Sequence, residues 1–375
     1  MKLEILQENL TKKLGSVTRI IPSKPQLPIL SHVLLSAKNN HLTLTSSNLE
    51  TTIIISLGAK IESEGEFTVP ARTLSELVAS LPPGKITLQV KQSLLEITIS
   101  QFHGQINGSP AAEFPPNPTD DLHSVWKVNA AGLFQALGQT MFSSATDESR
   151  AVLTGVLFKF DSDFVTLAAT DGFRLSVVKV SKSSDLPEGQ SQVIIPTRTL
   201  VEITKLLNDE NPDQITINFL KSNQVLFSLS DTKIYSQLIA GNFPNFEKII
   251  PAESSVRIKI PSEELLKGIR LAAIFARDSA NIVKLKIAGS KLKIMANAAQ
   301  VGENESEIDI EVDKGSGEDF QIAFNFRYLL DFLTSLGSKA ADVTIDFTTP
   351  LAPGVFHLPS DKNFLHLIMP VRVQG

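Results

Sequence analysis

The sequence predicts an α+β fold made of three repeated domains, each with two helices backed by β-sheets. The main observation is a strand–arginine–helix motif that occurs three times, as FTVPARTLSELVASL (67–81), VIIPTRTLVEITKLL (193–207) and IAFNFRYLLDFLTSL (322–336). The arginines of the motif, Arg72, Arg198 and Arg327, are separated by 126 and 129 residues. A motif that recurs at a fixed period indicates a repeated architecture.

The helix of each motif has one apolar face. Leu74, Leu77, Val78 and Leu81 lie at positions i, i+3, i+4 and i+7, which places them on one side of a helix. The same spacing recurs in the other two copies, at Leu200, Ile203 and Leu207 and at Leu329, Phe332, Leu333 and Leu336. We therefore expect three equivalent helices that pack on three equivalent sheets.

A second helix and a hairpin are predicted in each third of the chain. The helices carry Leu10 with Leu14, Leu133 with Leu137, and Leu265 with Ile269. The hairpins span 31–47, 154–170 and 282–298, and their turns are rich in Asn, Asp, Gly and Ser. Linkers at 113–122 and 242–255 separate the thirds, so the predicted domains are 1–124, 125–251 and 252–375.

Composition excludes several classes of site. The chain has 375 residues and no Cys, which excludes disulfides, thiolate nucleophiles and Cys metal sites. Its six histidines are scattered, with none at ligand spacing from another, so neither a metal nor a cofactor is expected. The first residues lack a signal-peptide core and no apolar run approaches the length of a membrane span, which favours a cytoplasmic protein without a membrane partner.

No catalytic motif is apparent, and a scaffold is expected instead of an enzyme. The sequence contains no phosphate-binding loop, dinucleotide fingerprint or HExxH motif. Asp171, in ATDGFRL, could serve as a catalytic acid near Arg174. A turn aspartate that bonds its own backbone is the favoured interpretation, because Asp171 follows a strand and precedes a Gly.

Seven segments in order along the whole chain resemble the bacterial sliding clamp, the beta subunit of DNA polymerase III. They are LPILSHVLL (27–35), SNLE (47–50), DESRAVLTGVLF (147–158), LAATDGFRL (167–175), GNFPNFEKIIP (241–251), FNFRYLLDFL (324–333) and LIMPVRV (367–373). The resemblance implies a non-enzymatic subunit with three similar domains. It also implies that two subunits join head to tail in a ring around duplex DNA, which confers processivity on the polymerase.

The resemblance also implies that the helices line the hole of the ring. The six predicted helices, 8–21, 72–80, 131–142, 198–208, 263–279 and 327–339, hold 11 basic and 7 acidic groups in a chain of net charge −5. A mildly positive lining suits weak, salt-sensitive phosphate contacts that do not read bases. The candidate DNA-facing residues are Lys12, Lys13, Arg19, Lys24, Arg72, Arg198, Lys205 and Arg277. Each could equally be a solvated surface cation, and Arg72 and Arg198 could serve the start of a helix.

A groove for short peptides of polymerases, the clamp loader and repair proteins is implied between the second and third domains. By position its lining is Leu153, Thr170, Gly172, Phe173, Arg174, Leu175, Pro244, Lys248, Ile249, Asn325, Tyr328, Leu367, Met369, Pro370, Val371 and Arg372. Apolar residues and an adaptable Met suit the burial of apolar anchors of a peptide. This sequence departs from the family at Phe173, usually His, at Lys248, often Arg, and at Ala280, often aromatic.

Ile274 and Phe275 match the apolar pair at the dimer contact of the family, and Ile106 is the candidate on the opposing face of the first domain. A buried helix position would also explain Ile274. Two other functions stay open: a three-domain interaction scaffold of the same fold that forms no ring, and an enzyme with a site around Asp171 and Arg174. A stable dimer would favour the ring over the scaffold, and a deep polar pocket would favour the enzyme.

Overall fold

The structure is a computed structural model that describes residues 1–119, 122–181, 191–315, 320–337 and 342–372. The chain forms two compact units. The first contains residues 1–131 and 198–238, and the second contains residues 132–182, 190–197 and 239–375.

Every α-helix that the structure describes begins directly after a strand. The helices are α1 (Gln7–Thr18), α2 (Ala71–Ser80), α3 (Ala130–Thr140), α4 (Thr197–Glu210), α5 (Ser262–Ala276) and α6 (Phe326–Ser335). The strand–arginine–helix motif is confirmed, since α2, α4 and α6 follow short strands with Arg72, Arg198 and Arg327 at their second position. The sequence also predicted α1, α3 and α5, but it missed the strand that precedes each of them.

The strands are β1 (Lys2–Leu6), β2 (His32–Lys38), β3 (His41–Ser47), β4 (Thr51–Gly58), β5 (Lys60–Ser63), β6 (Gly65–Pro70), β7 (Lys85–Lys91), β8 (Leu94–Ile99), β9 (Phe102–Asn107), β10 (Leu122–Asn129), β11 (Gly155–Phe160), β12 (Phe164–Thr170), β13 (Arg174–Ser181), β14 (Gln192–Pro196), β15 (Gln214–Leu220), β16 (Gln224–Leu229), β17 (Thr232–Gln237), β18 (Val256–Pro261), β19 (Ile282–Ala288), β20 (Lys291–Ala298), β21 (Gly302–Asp309), β22 (Glu311–Lys314), β23 (Gln321–Asn325), β24 (Asp342–Phe347), β25 (Gly354–Leu358) and β26 (Asp361–Ile368). The three predicted hairpins are β2–β3, β11–β12 and β19–β20. Asn39 and Asn40 both have positive φ, 49° and 58°, as a tight turn between two strands requires.

The first unit contains two sheets. A five-stranded sheet has the order β5-β1-β7-β8-β9, and an eight-stranded sheet has the order β10-β15-β16-β17-β4-β3-β2-β6. In the larger sheet β17 pairs antiparallel with β4, so one continuous sheet joins strands from the first and second thirds of the chain.

The second unit repeats this arrangement. A nine-stranded sheet has the order β14-β11-β12-β13-β26-β25-β24-β18-β22, and a four-stranded sheet has the order β21-β20-β19-β23. The antiparallel pair β13–β26 joins the second and third thirds of the chain, as β17–β4 joins the first and second.

The apolar helix faces lie in the core as predicted. Leu74, Leu200 and Leu329 are fully buried at equivalent positions of α2, α4 and α6. Leu10, Leu133 and Leu265 are buried in the same way in α1, α3 and α5. The opposite helix faces are left to carry the charged residues.

The predicted excess of positive charge on the helices is wrong. With the observed bounds, the six helices of the described chain hold eight basic and eight acidic residues. Arg19 and Arg277 are the residues that cap the C-terminal ends of α1 and α5, and α4 extends to include Asp209 and Glu210. The estimate failed because charges cluster at helix ends, where the sequence defines the boundaries least well.

Candidate functional site

Four of the predicted groove residues, Thr170, Gly172, Phe173 and Arg174, lie at a tight turn between β12 and β13 in the second unit. The Asp171 carboxylate accepts hydrogen bonds from the backbone N–H groups of Phe173 (2.9 Å) and Arg174 (3.0 Å). Thr170 Oγ1 accepts from the N–H of Gly172, whose φ of +93° favours glycine at this position. Asp171 is therefore a turn aspartate, as favoured from the sequence, and its oxygens are committed to the turn.

The side chain of Arg174 connects this turn to α6. Its guanidinium donates to Asp171 Oδ2 at 3.0 Å and to Asp331 Oδ2 at 2.5 Å. It also lies over the ring of Tyr328, 4.7 Å from the ring centroid. Burial, with the Asp171 and Asp331 charges nearby, raises the pKa of the Tyr328 hydroxyl. Arg174 is thus held in one orientation and is only partly exposed.

The end of the described chain lies across this turn. β26 pairs with β13, with Leu367 opposite Leu175, and the Met369 N–H then donates to the Phe173 carbonyl at 2.8 Å. The Val371 N–H donates to the carbonyl of Ala323 in β23 at 2.8 Å. Residues 369–371 therefore bridge the β12–β13 turn and the strand that leads into α6.

Exposed apolar side chains lie at the turn. Phe173 is 57% exposed, and Met369, which bonds its carbonyl, is 37% exposed. The Phe173 ring stacks on the Tyr328 ring, with centroids 6.5 Å apart and an interplanar angle of 16°. Exposed apolar groups that lie together on a surface are typical of a binding site. Ile249, another predicted lining residue, is 47% exposed.

The predicted lining residues fall into two groups. Leu153, Thr170, Leu175 and Leu367 are buried in the core, so they can support a surface but offer little area to a ligand. The others are at least partly exposed: Gly172, Phe173, Arg174, Pro244, Lys248, Ile249, Asn325, Tyr328, Met369, Pro370, Val371 and Arg372. Asn325 also caps α6, because its side chain accepts from the Arg327 N–H.

A chain of buried hydrogen bonds lies close to Arg174. Ser143 Oγ is 2.8 Å from Ser176 Oγ, which is 2.8 Å from Nδ1 of His366. The imidazole of His366 stacks on the Phe332 ring, 4.9 Å between centroids. Burial, with the Arg174 charge nearby, holds the pKa of His366 well below its ordinary value, so the ring is neutral.

Sequence analysis missed two residues of this site. Arg150 donates from Nη2 to the Asp171 carbonyl at 3.1 Å, and Asp331 forms the ion pair with Arg174. Asp331 could have been found, because it lies one turn after Tyr328 on the same helix face. Arg150 lies 21 residues from its partner in an irregular segment, so no local pattern identifies it.

The candidate DNA-facing cations of the first unit are of two kinds. Lys12, Lys24 and Arg72 are exposed, and among the described residues no acidic side chain pairs with them. The other four are engaged with acids: Lys13 with Glu210 (2.6 Å), Arg19 with Asp209 (2.7 Å), Arg198 with Glu50 (3.5 Å) and Lys205 with Glu202 (2.7 Å).

Lys13 is the most enclosed of these cations. Its side chain is 18% exposed, and Glu210 Oε1 accepts from both Lys13 and Thr232 Oγ1. A cation in such a pair is poorly placed to contact DNA. In the second unit Arg277 is 63% exposed, with Asp278 4.0 Å away.

An apolar patch lies at the end of α5 in the second unit. Ile274 is 47% exposed and Phe275 is half-buried. Leu271 and Val301, which sequence analysis did not identify, are 52% and 51% exposed. In the first unit Ile106 is only 6% exposed, so its area for contact is small.

The described residues lack the features of two other classes of site. They contain no group of three or more His, Asp or Glu side chains arranged to hold a metal ion. None of their helices is long and apolar enough to cross a membrane.

Comparison with known proteins identifies relatives along the whole chain. Family models of the DNA polymerase III beta subunit match at residues 1–118 (N-terminal domain), 127–245 (central domain) and 247–372 (C-terminal domain). The beta sliding clamp of Synechocystis sp. is 31% identical over 394 residues and covers 100% of both chains. That of Bacillus subtilis is 30% identical over 384 residues and covers 99% of this chain and 100% of its own.

Solved structures agree in fold. The sliding clamp of Bacillus subtilis superposes with a TM-score of 0.92 at 29% identity, with full coverage of both chains. A clamp from Bartonella birtlesii bound to griselimycin gives the same TM-score, identity and coverage. The three-domain α+β fold predicted from the sequence is confirmed, and the chain belongs to the beta sliding clamp family, the beta subunit of DNA polymerase III.

Proposed function

We propose that two copies of this chain close head to tail into a ring that encircles duplex DNA and tethers DNA polymerases to it. Members of this family are sliding clamps and non-catalytic subunits of DNA polymerase III. The proposal concerns the assembly and the partners of this particular chain.

The proposal rests on two strands that lie unpaired at the edges of their sheets. The internal joints β17–β4 and β13–β26 are antiparallel strand pairs at equivalent positions of the repeat. The next pair in this series would be β9 with β21, and each of them is the outermost strand of its own sheet. Unpaired edge strands readily pair with another chain. If β21 of one copy pairs with β9 of the other, the same contact forms twice and the ring closes.

Apolar residues beside β21 support this contact. The patch of Leu271, Ile274, Phe275 and Val301 exposes side chains that a partner would cover. We propose that Ile274 and Phe275 lie in the dimer interface, with Ile106 of the partner subunit opposite them.

For DNA, we propose that the exposed cations Lys12, Lys24, Arg72 and Arg277 make the phosphate contacts. Lys13, Arg19, Arg198 and Lys205 contribute less, because an acidic oxygen lies within 3.5 Å of each, closer than the 4.0 Å between Arg277 and Asp278. A few weak phosphate contacts would hold duplex DNA without stopping the movement of the ring along it.

For proteins, we propose that the surface around Phe173, Tyr328 and Met369 binds short peptides of polymerases, the clamp loader and repair proteins. Its exposed apolar side chains can bury the apolar anchors of a peptide. The same surface would take up griselimycin, which the Bartonella birtlesii clamp binds.

We further propose a cytoplasmic location, where the DNA is, and domain boundaries near residues 124 and 251. The family matches at 1–118, 127–245 and 247–372 support these boundaries, which stay predictions.

Retention on circular DNA tests the ring. The protein, a clamp loader and ATP are incubated with a nicked circular plasmid, and bound protein is separated from free protein by gel filtration. We expect the protein to stay on the circle and to be lost when a restriction enzyme linearises it, because only a closed ring is linked topologically. The same plasmid without the restriction site is the control.

Equal loss from circular and linear DNA, or equal retention on both, would contradict the ring. In that case the non-ring scaffold of the same fold becomes the better description.

A further inference from the structure

Each strand residue lies directly opposite a residue of the neighbouring strand, and successive opposite residues form a row across the sheet. Equivalent rows recur in the three parts of the repeat, and they predict how two copies meet. One set of rows starts at the third residue before α1, α3 or α5. The rows run Glu4–Thr87–Thr98–His103, Lys127–Thr216–Ser228–Lys233 and Lys259–Thr344–His357–Leu365. His103, Lys233 and Leu365 are therefore equivalent residues on β9, β17 and β26.

A second set of rows starts at the third residue before α2, α4 or α6. The rows run Thr68–Leu34–Thr45–Ile54, Ile194–Leu157–Ala168–Val177 and Ala323–Lys284–Met295–Glu305. Ile54, Val177 and Glu305 are therefore equivalent residues on β4, β13 and β21.

Both internal joints connect the two sets of rows in the same register. Lys233 lies opposite Ile54, and Leu365 lies opposite Val177. A shift of one residue would exchange the two faces of a strand, so the register is fixed wherever one face is buried.

We propose that β9 of one copy and β21 of the other pair in this register, which places His103 directly opposite the partner's Glu305 and makes closure of the ring proton-dependent. This inference rests on the proposed ring. The same register places Gln105 opposite the partner's Glu303, and Ile106 opposite the partner's Gly302.

The inner face of this strand pair fits without a clash. Ile106 would lie opposite Gly302, which has no side chain to obstruct it. A Cβ atom built on Gly302 would lie 3.8 Å from the Phe275 ring, so Gly302 is next to that ring. The register thus brings Ile106 to the apolar patch of the partner, although its side chain is nearly buried in the single chain.

The outer face of β21 is acidic. Glu303, Glu305, Glu307 and Asp309 alternate along it and are exposed. Lys293 pairs with Glu305 (2.7 Å) and Glu307 (2.9 Å), and Lys291 pairs with Glu307 (3.1 Å). Lys284 and Lys286 of β19 lie on the same face, so four lysines accompany the four carboxylates. The carboxylates are on the edge strand itself, and the lysines are one or two strands further from the partner.

On the outer face of β9, the side chain of His103 is exposed. Within its own chain, its Nδ1 is 3.3 Å from Thr98 Oγ1. Among the charged residues on the same face, Glu96 pairs with Lys91 at 2.7 Å. Further across the sheet, Glu4 lies 3.2 Å from Lys60 and 3.4 Å from Lys85. These neighbours are present in the monomer and in the ring, so the partner makes the difference between the two states. The partner's Glu305 and the partner's Glu303 favour the protonated imidazole, and the partner's Lys293, 2.7 Å from the Glu305 carboxylate, opposes it from one strand further away. The closed ring should therefore bind protons more tightly than the monomers and become more stable as pH falls.

The dimer dissociation constant of the full chain tests this proposal, measured by sedimentation at constant ionic strength at about pH 8 and about pH 6. We expect a decrease of roughly 2- to 30-fold at the lower pH, because the ring contains two such exposed charge pairs. His103→Asn should bind as weakly at both pH values as the wild type does at the higher one. His103→Arg should bind tightly at both, and Glu305→Gln should abolish the pH dependence. His41→Asn, which changes another exposed histidine of the first unit, should behave as the wild type.

Engineered cysteines test the register, because the chain contains no Cys of its own. Gln105→Cys combined with Glu303→Cys should give covalent dimers on mild oxidation, since directly opposed strand residues lie within disulfide range. His103→Cys with Glu303→Cys, displaced by two residues, should not.

The outcomes separate the two proposals. A chain that is monomeric at every concentration would overturn the ring and this inference with it. A dimer that cross-links only through the displaced pair, or that keeps its pH dependence in His103→Asn, would overturn this inference and leave the ring intact.

Discussion

At the scale of single residues, Arg174 determines the shape of the proposed peptide site. It is fixed by Asp171 from the turn, by Asp331 from α6 and by the ring of Tyr328. The Phe173 ring stacks on the same Tyr328 ring that Arg174 lies over, so Tyr328 connects the exposed Phe173 to the ion pairs of Arg174.

Phe173→Ala should weaken binding of a clamp-binding peptide about 5- to 30-fold, because burial of roughly half of a Phe side chain is lost. The measurement is fluorescence anisotropy with a labelled peptide from the cognate replicative polymerase. Phe164→Ala is the matched control, since Phe164 is also an exposed Phe of this unit, 37% exposed, at the far end of β12. Equal affinity of Phe173→Ala and the wild type would remove Phe173 from the site.

His366 predicts a loss of stability in mild acid. The buried ring stays neutral in the folded protein, where its pKa is well below the ordinary value, whereas the unfolded chain takes up a proton below about pH 6.5. The contribution is therefore fully present above that pH, and the free energy of unfolding falls by about 1.4 kcal/mol per pH unit as the pH decreases toward the lower, folded-state pKa.

The measurement is urea unfolding of the wild type and of His366→Asn across about pH 7.5 to 5.5. Asn can keep the hydrogen bond to Ser176 but does not titrate, so the difference between the two proteins should shrink as pH falls. His41→Asn, at an exposed site, should run parallel to the wild type. A constant difference between wild type and His366→Asn would mean that His366 does not carry this dependence.

At the scale of elements, α1 and α4 are joined by charge. Lys13 and Arg19, from α1 and its C-terminal end, pair with Glu210 and Asp209 at the end of α4. These pairs connect the middle and the C-terminal end of α1 to the C-terminal end of α4, and Lys12 is the exposed cation within α1. Neighbouring lysines of one helix therefore have different surroundings, and they should have different roles.

Lys12→Ala should lower the salt dependence of DNA binding, with the slope of log K against log salt falling by about 0.9. Lys13→Ala should leave this slope unchanged and instead lower the free energy of unfolding by about 1–3 kcal/mol, because Glu210 loses its partner. Fluorescence anisotropy with a short linear duplex and urea unfolding measure the two effects. A reduced salt slope in Lys13→Ala would place Lys13 on the DNA.

The same elements indicate what sequence could and could not predict. The helices and hairpins were predictable, because the apolar spacing of Leu74 and Val78 and the turn residues Asn39 and Asn40 are local signals. The Lys13–Glu210 pair joins residues that are 197 positions apart in the sequence, so no local pattern predicts it. The groove residues came from a resemblance by position, and that resemblance could not separate the core residue Leu175 from its exposed neighbour Phe173.

At the scale of the whole molecule, the repeat explains which strands pair within the chain and which strands stay unpaired at sheet edges. Two internal joints use antiparallel strand pairs in one register, and the strands of a third joint remain at sheet edges. Edge strands such as β9 and β21 have unpaired backbone groups that a strand of another chain can bond. The repeated sequence predicted the domains, but the open strands became apparent only from the order of strands in the sheets.

Ile274→Asp combined with Phe275→Asp should convert the protein to monomers. These side chains belong to an apolar patch with Leu271 and Val301, and a carboxylate buried there without a partner would cost several kcal/mol at each interface. Sedimentation measures the oligomeric state, and Leu351→Asp is the control, because Leu351 is 65% exposed elsewhere in the same unit. The variant monomer should still bind the polymerase peptide, since the patch is separate from Phe173 and Met369 in the chain. A double variant that remains dimeric would mean that the two copies meet through another surface, and the register derived for β9 and β21 would then have to be abandoned.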